Sequence, residues 1–409
     1  MGEIGRNFSL ISQELCMIVS AFGFVIAALW IVLAVRSLTW AVRSRFLKAD
    51  LSEEPWSGQA NPPRVAVIVP ARNEEATIAA TVAGLASQTY PGLTVTVVDD
   101  RSTDRTKEIL DELAARMPDL VRVVDGVERP ERWVGKTWAM QQGASHASVD
   151  AEWLAFVDAD VALHPSAIAQ ARRQVDQVGA DMISLVPRYR CRTFWQGSVA
   201  VMLGHLLWQL YPLGKVNRPQ SRIGFAHGNF VMVRRSTYEQ VGGYESVRGE
   251  IVEDIQFAQR LKNQGAKLSV HAAPDLIETH AYGDWRAIWR GLRKNAYAGM
   301  DYQMRKFLTG AIGGLILIWT PSLILTAGIV WDIPTWIGAG ALGWLAQALA
   351  STPILAAFRL PMGYAFAMPL GLLAYIAIAA TSVWDHHQGR VVWNDAVFEV
   401  AGPADEASA

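Results

Sequence analysis

The sequence predicts an α/β domain with a mixed sheet, set between one N-terminal transmembrane helix and about three C-terminal membrane helices. Three observations carry that expectation. A charge-free run of 20 residues lies near the start, from Cys16 to Val35. Short apolar strands alternate with amphipathic helices between about Arg64 and Ala281, the pattern of an α/β sheet. Three long apolar runs follow Phe307, interrupted only by Asp332 and Arg359.

After a short segment, 1–15, the run 16–35 is long enough to cross a hydrocarbon core of about 30 Å as a helix. It is too long for the apolar region of a cleaved signal, and Glu3 and Glu14 spoil the positive flank such a signal needs. Arg36, Arg43, Arg45 and Lys48 crowd its C-terminal flank, so the positive-inside rule predicts an integral protein of the cytoplasmic (inner) membrane with its middle facing the cytoplasm. Residues 36–63 read as a cytoplasmic linker. Across the chain, 37 basic and 38 acidic residues leave a net charge of -1, which is no nucleic-acid footprint, and no motif points to a protein partner. Two cysteines, Cys16 and Cys191, supply neither a disulfide framework nor a zinc cluster.

In the middle, 64–281, "RVAVIV" is a first buried strand, expected to end at Pro70. Glu74 and Glu75 suit a helix start, and Ile78, Val82, Leu85 and Ala86 form that helix's apolar stripe. "LTVTVV" is a second strand and runs into Asp99-Asp100; "VRVV" and "WLAFV" are further strands. Ligands of such sheets sit beyond the carboxyl ends of the strands. Three of these exits carry the unusual residues: "PARNEE", "DDRSTD" and "DAD". Singly each is a solvated turn; together on one sheet edge they mark a ligand site, because buried carboxylates are costly unless something positive holds them.

The ordered set "VIVPARNEE", "VVDDRSTD", "GKTWAMQQG", "FVDAD", "HGNFVMVRR" and "VEDIQFAQRLKNQG" resembles the family 2 glycosyltransferases of GT-A fold, the Rossmann-like mixed sheet of nucleotide-diphospho-sugar transferases. With its flanking membrane segments the layout is similar to the lipid-directed branch: ceramide glucosyltransferases and hopanoid- or carotenoid-associated glycosyltransferases. The resemblance implies a UDP-sugar donor and a divalent cation, Mn²⁺ or Mg²⁺, for which Asp oxygens are suitable ligands. It implies Asp160 as the metal ligand, with Asp158 supporting it or contacting the sugar or ribose. Asp100, beside Asp99, would bind the base or ribose, and Pro70, Arg72, Asn73 and Glu74 would line the uridine pocket. Lys136, in "VGKTW", is a candidate for a phosphate or a sugar hydroxyl. In an inverting transfer a base deprotonates the acceptor, and the family's acidic pair matches Glu253-Asp254, with Asp254 at the base position. His227, Gly228 and Asn229 are acceptor-side candidates. His227 reads equally as a turn histidine, and no catalytic role is assigned to it.

Residues 282–306 contain "WRAIWRGLRKNAYAG" where processive members carry Q-x-x-R-W. The absence of that pentad favours one sugar per acceptor. Trp285, Ile288, Trp289 and Leu292 share one face of this predicted helix, and Arg290 and Arg293 lie on others, an amphipathic pattern expected at the membrane interface. Phe194 to Leu210 is a second candidate for membrane contact, with Trp195 and Trp208 as interfacial anchors. The runs 307–331, 333–358 and 360–384 are membrane segments, of which one is re-entrant if the tail, 385–409, returns to the cytoplasmic side. Trp393 in that tail matches a tryptophan that relatives hold near the active site. Gly338 to Gly343 fits the dinucleotide fingerprint GxGxxG but lacks its strand context, so it reads as small-residue packing, like Gly310 and Gly314.

The leading expectation is transfer of one sugar to a hydroxyl or carboxyl of a lipid acceptor. A polyprenyl-phosphate acceptor at the same donor site is the alternative, and a transporter or scaffold with a nucleotide-sugar module the third. Against transport, the apolar runs hold none of the ionisable groups that ion pathways need.

Overall fold

The computed structural model describes residues 2–43, 46–48, 62–280, 285–388, 390–393 and 396–399. Helix α1 (Gly2–Arg43) leads to a domain in which β1 (Val65–Ala71), β2 (Leu93–Asp99), β3 (Val121–Asp125) and β4 (Trp153–Val157) alternate with α2 (Ile78–Ala86), α3 (Thr106–Arg116) and α4 (Gly135–His146). The domain continues through β5 (Val161–Leu163), α5 (Ala167–Val178), β6 (Met182–Val186), β7 (Arg188–Arg190), α6 (Phe194–Leu210) and α7 (Leu213–Val216). It closes with β8 (Phe230–Arg234), α8 (Arg235–Gln240), α9 (Glu253–Asn263), β9 (Leu268–Ala272) and β10 (Ile277–His280). Then come α10 (Trp285–Ala296), α11 (Met304–Gly314), α12 (Thr320–Val330), α13 (Pro334–Phe358) and α14 (Met368–His387), and a hairpin of β11 (Arg390–Trp393) and β12 (Ala396–Glu399).

Seven strands form one sheet in the order β3-β2-β1-β4-β8-β6-β9. Only β8 runs against the rest, antiparallel to both β4 and β6. A smaller sheet, β5-β10-β7, lies beside it. β1 is buried on both faces, as a central strand of an α/β sheet must be. Val65, Val67 and Val69 pack with the α2 and α5 side, while Ala66 and Ile68 pack with α4 on the other. Strand β1 does not end at Pro70 but runs on to Ala71. Pairing with β4 stops at Ile68↔Phe156 while pairing with β2 continues to Ala71↔Asp99, so the proline sits where one ladder has already ended.

Among the described residues, four helical stretches are long and apolar enough to cross a membrane: Gln13–Val42, Met304–Val330, Pro334–Phe358 and Met368–His387. Their ends can be sorted by contact with the domain. At one end of α1, Ser37 Oγ donates to the Ala350 carbonyl (2.8 Å) and Leu47 N to Ala272 of β9 (3.0 Å). At the other, Trp336 Nε1 of α13 donates to the Cys16 carbonyl (3.3 Å), far from the domain. Thus α1 and α13 run parallel and α12 descends between them. Helix α14 differs. Its start lies beside Trp319, whose Nε1 donates to the Pro369 carbonyl (3.1 Å) halfway down the α11–α12 arm. Near its other end Ser382 Oγ accepts from Tyr297 N (3.1 Å), just after α10. The segment from Arg359, which is paired with Asp275 of the domain, therefore joins α14 part-way along the α11–α12 arm, and α14 comes back to the end of α10.

Two prolines interrupt these helices and both are compensated. Pro321 has no N–H for the carbonyl four residues back; the 315–319 turn loosens to a π-helix, and Trp30 Nε1 donates to the Leu317 carbonyl (2.7 Å). Pro353 likewise frees Leu349, whose carbonyl accepts from Thr352 Oγ1 (2.8 Å). The glycines divide. A side chain at Gly340 would strike Leu325 backbone at 2.3 Å, so that glycine packs helix on helix, but at Gly310 and Gly338 nothing lies within 4 Å. The packing role expected of Gly310 is therefore absent.

The apolar stripe of α10 is spent on protein. Ile288 is buried against Val199, Ala374 and Ile378, with Trp289 and Leu292 beside it, leaving Trp285 partly exposed. In α6, Trp195 is exposed, but Trp208 is core rather than an interfacial anchor.

Candidate active site

The exits of β1, β2 and β4 meet on one edge of the sheet, where β8 and the start of α9 close over them. At the first exit Asn73 takes left-handed backbone (φ 55°), a conformation asparagine tolerates. Its Oδ1 accepts from Thr103 N (2.8 Å), tying the first exit to the second. Glu74 N donates to Thr106 Oγ1 (2.7 Å), and the Glu74 carboxylate accepts from Thr77 Oγ1 (2.7 Å). Burial raises the Glu74 pKa above the ordinary carboxylate value.

Asp100 is buried between two guanidiniums, with Arg72 Nη1 at 3.5 Å and Arg101 Nε at 3.4 Å. Burial still wins and pushes its pKa up. Asp99 does not line the cavity that Asp100 faces; its Oδ2 accepts from Ser102 N (3.4 Å) and its carbonyl from Gly126 N (2.8 Å), so it shapes the turn. Side chains alternate along a strand, so adjacent aspartates at its end point apart.

The centre is Lys136, at the start of α4. Its Nζ lies 2.8 Å from Asp158 Oδ1 and 2.9 Å from Glu253 Oε1. Burial pulls this ammonium down, but the two carboxylates outweigh it and hold its pKa well above the usual lysine value. Asn229 Nδ2 donates to Asp158 Oδ2 (3.3 Å). Asp254 accepts from the Gly228 N–H and from its neighbour Ile255 N–H, both at 2.8 Å. Half-buried and beside Glu253, it is pushed up to about 7 by desolvation and by that neighbouring charge. Asp160, also pushed up to about 7 by burial and by Asp158 and Glu74, accepts from Thr279 Oγ1 at 3.4 Å.

Among the described residues no three His, Cys, Asp or Glu side chains converge on a metal position. The donor set nevertheless fits a hard divalent cation. Asp160 and Asp158 offer carboxylate oxygens in a site with excess negative charge, and Mg²⁺-type ions use one or two carboxylates plus substrate phosphates.

His227 is half-buried, and desolvation pulls its pKa down to about 4, hence a neutral imidazole. Its Nε2 shares a 2.8 Å hydrogen bond with the Tyr189 hydroxyl, and its backbone N–H donates to Ser184 Oγ (2.8 Å). It braces the site. Arg290 and Arg293 both reach the cavity wall, but Arg293 forms an ion pair with Asp385 of α14. Trp393 ends β11, opposite Ala396.

Sequence reasoning missed Lys294. It lines the same cavity, and burial together with Lys136 lowers its pKa while Glu253, Asp158 and Asp160 oppose that. The signal was present: Arg290 and Lys294 are four apart and so neighbours on one helix face, and both line the cavity.

The mixed sheet with one reversed strand, and acidic residues at its parallel exits, define a GT-A scaffold. Residues 66–242 match the family model "Glycosyl transferase family 2", so this stretch is similar to a family 2 glycosyltransferase domain. Two relatives are 4,4'-diaponeurosporenoate glycosyltransferases of Staphylococcus aureus. That of strain USA300 is 26% identical over 254 residues, covering 60% of this chain and 64% of the relative. That of bovine strain RF122 is 28% identical over the same length and coverage. The chain thus spans less than two thirds of these relatives. A solved structure, the mannosyltransferase PcManGT from Pyrobaculum calidifontis in complex with GDP-Man and Mn²⁺, superposes with a TM-score of 0.52 at 21% identity, covering 88% of this chain and 99% of that one.

Proposed function

We propose that this chain is a membrane-bound, inverting glycosyltransferase that moves one sugar from a UDP-sugar to a hydroxyl or carboxyl of a lipid acceptor. One observation carries the reading. A single cavity of about 1350 Å³ is lined at one end by Asp100, Lys136 and Asp160 and at the other by Leu203, Leu207, Ile354 and Phe358. A polar, charged floor suits a nucleotide diphosphate, and an apolar wall suits a hydrocarbon body. The named acceptor of the Staphylococcus relatives, a carotenoid acid, belongs to this lipid class.

Roles follow from the chemistry of each group. Arg72 and Asp100 lie where the nucleoside would bind, and Lys136 orients Asp158 and Glu253 while offering a cation to the donor. Asp158 and Asp160 would hold Mn²⁺ or Mg²⁺, which supplies Lewis-acid stabilisation of the diphosphate leaving group. Asp254 would take the proton of the acceptor hydroxyl, a task suited to a carboxylate with pKa near 7. Its two backbone hydrogen bonds fix its direction. The basic residues Arg36, Arg305, Lys306 and Arg359 cluster at the domain end of the helices, while Asp332 lies at the far end. That asymmetry favours a cytoplasmic domain.

The test is UDP release by the detergent-purified chain, with a panel of UDP-sugars and membrane lipid extract, with and without Mn²⁺. Release that needs one sugar, the extract and the metal is the expected result. No release from folded protein with any donor would sink the reading.

A further inference from the structure

The cavity is not closed toward the membrane, and the place where it opens has a particular lining. None of Met304–Gly314 is buried, although α11 begins the longest of the three C-terminal apolar stretches. At Gly314 the helix closes on α14, since a side chain there would meet Leu372 at 3.3 Å. Closer to the domain, at Gly310, no atom lies within 4 Å of where a side chain would point. Yet Thr309 and Gly310 line the same cavity as Asp160 and Lys136, together with Tyr375 of α14.

The link before α11 accounts for this stand-off. Asp301 and Tyr302 take successive left-handed conformations (φ 52° and 54°), so the chain turns sharply between α10 and α11. Asp301 is then tied to Lys306 by an ion pair at the rim.

Resting on the lipid-acceptor reading above, we propose that the seam between α11 and α14 at Thr309, Gly310 and Tyr375 is a lateral portal. Through it the hydrocarbon chain of the acceptor enters from the leaflet on the domain side. The continuity of the opening with the acidic cluster, and the apolar wall of Val199, Leu203, Ile354 and Phe358 between them, identify the occupant as a hydrocarbon chain. Such a route keeps the chain in lipid while only the reacting head crosses to the donor. The glycine at the mouth leaves the width that a larger side chain would fill.

The experiment uses the full chain in lipid vesicles, with labelled UDP-sugar and membrane lipid extract as probes. UDP affinity is measured alongside transfer. Gly310→Leu should lower transfer to lipid by about tenfold or more while UDP affinity stays within about twofold. Gly313→Leu, at an open position that does not line the cavity, should change neither. If Gly310→Leu does not fold, Thr309→Trp narrows the same mouth from its exposed side and should give the same split. Wild-type transfer in both mouth variants would overturn the portal. Absence of lipid-dependent transfer in the unaltered chain would instead overturn the function on which it rests.

Discussion

Asp160 and Asp254 each have a pKa near 7 in the folded chain, against about 4 for an unfolded aspartate. Two consequences follow from the sign. As a base, Asp254 works only when ionised, so transfer should rise as pH passes upward through about 7. Asp254→Asn should cost about 10²–10⁴-fold in kcat with little change in donor affinity. Retained transfer in that variant would mean an acceptor that is already ionised. For stability the same shift works the other way. Between about pH 4 and 7 the folded chain binds more protons than the unfolded one, so the metal-free protein should lose stability as pH rises across that window. Asp160→Asn removes one such charge. It should stabilise the metal-free protein at pH 7.5 by on the order of 1 kcal/mol, the size of one pKa unit, and abolish the rise in Tm on adding Mn²⁺. An undiminished Mn²⁺ shift in this variant would remove Asp160 from the metal site.

Among the elements, α10 is one whose position depends on the membrane helices. Arg293 pairs with Asp385, and Tyr297 N donates to Ser382 of α14 (3.1 Å). Lys294 lies next to that anchor and faces the acidic cavity. Reversing either charge, by Arg293→Asp or Asp385→Arg, should raise the donor KM severalfold, and the double swap should restore it. A double variant no better than the singles would show that the pair does not position α10. The helix itself was legible in the sequence, because its tryptophans and arginines recur at helical spacing. What covers its stripe was not: periodicity says that Ile288 is buried, not whether lipid or α6 buries it. The strand exits were legible for a related reason, since carboxylates and Gly-Lys at the ends of apolar runs are costly unless used. Asp99 and Gly310 misled because neighbouring positions in sequence, or a familiar spacing, do not tell which way a side chain points.

At the scale of the whole molecule, the sequence supplied three C-terminal apolar runs but not their depth. Length alone does not distinguish a helix that crosses from one that returns; the contacts of Trp319 with Pro369 and of Tyr297 with Ser382 lead to the prediction that α14 returns. The expected topology can be read by labelling with a membrane-impermeant maleimide after replacing Cys16 and Cys191. Gln388→Cys should react from the side of the domain and Asp332→Cys from the opposite side. Reaction of both from one side would overturn it. One packed cluster runs without a break from Ala66 and Ile68 of the sheet through Trp30 of α1 to Leu355 of α13 and Met368 of α14. Recombination between related genes therefore has no clean seam at which to cut. A chimera joining this domain to another member's helices would inherit mismatched surfaces on both sides of the junction, so catalytic and membrane parts can diverge only together, as one inherited unit.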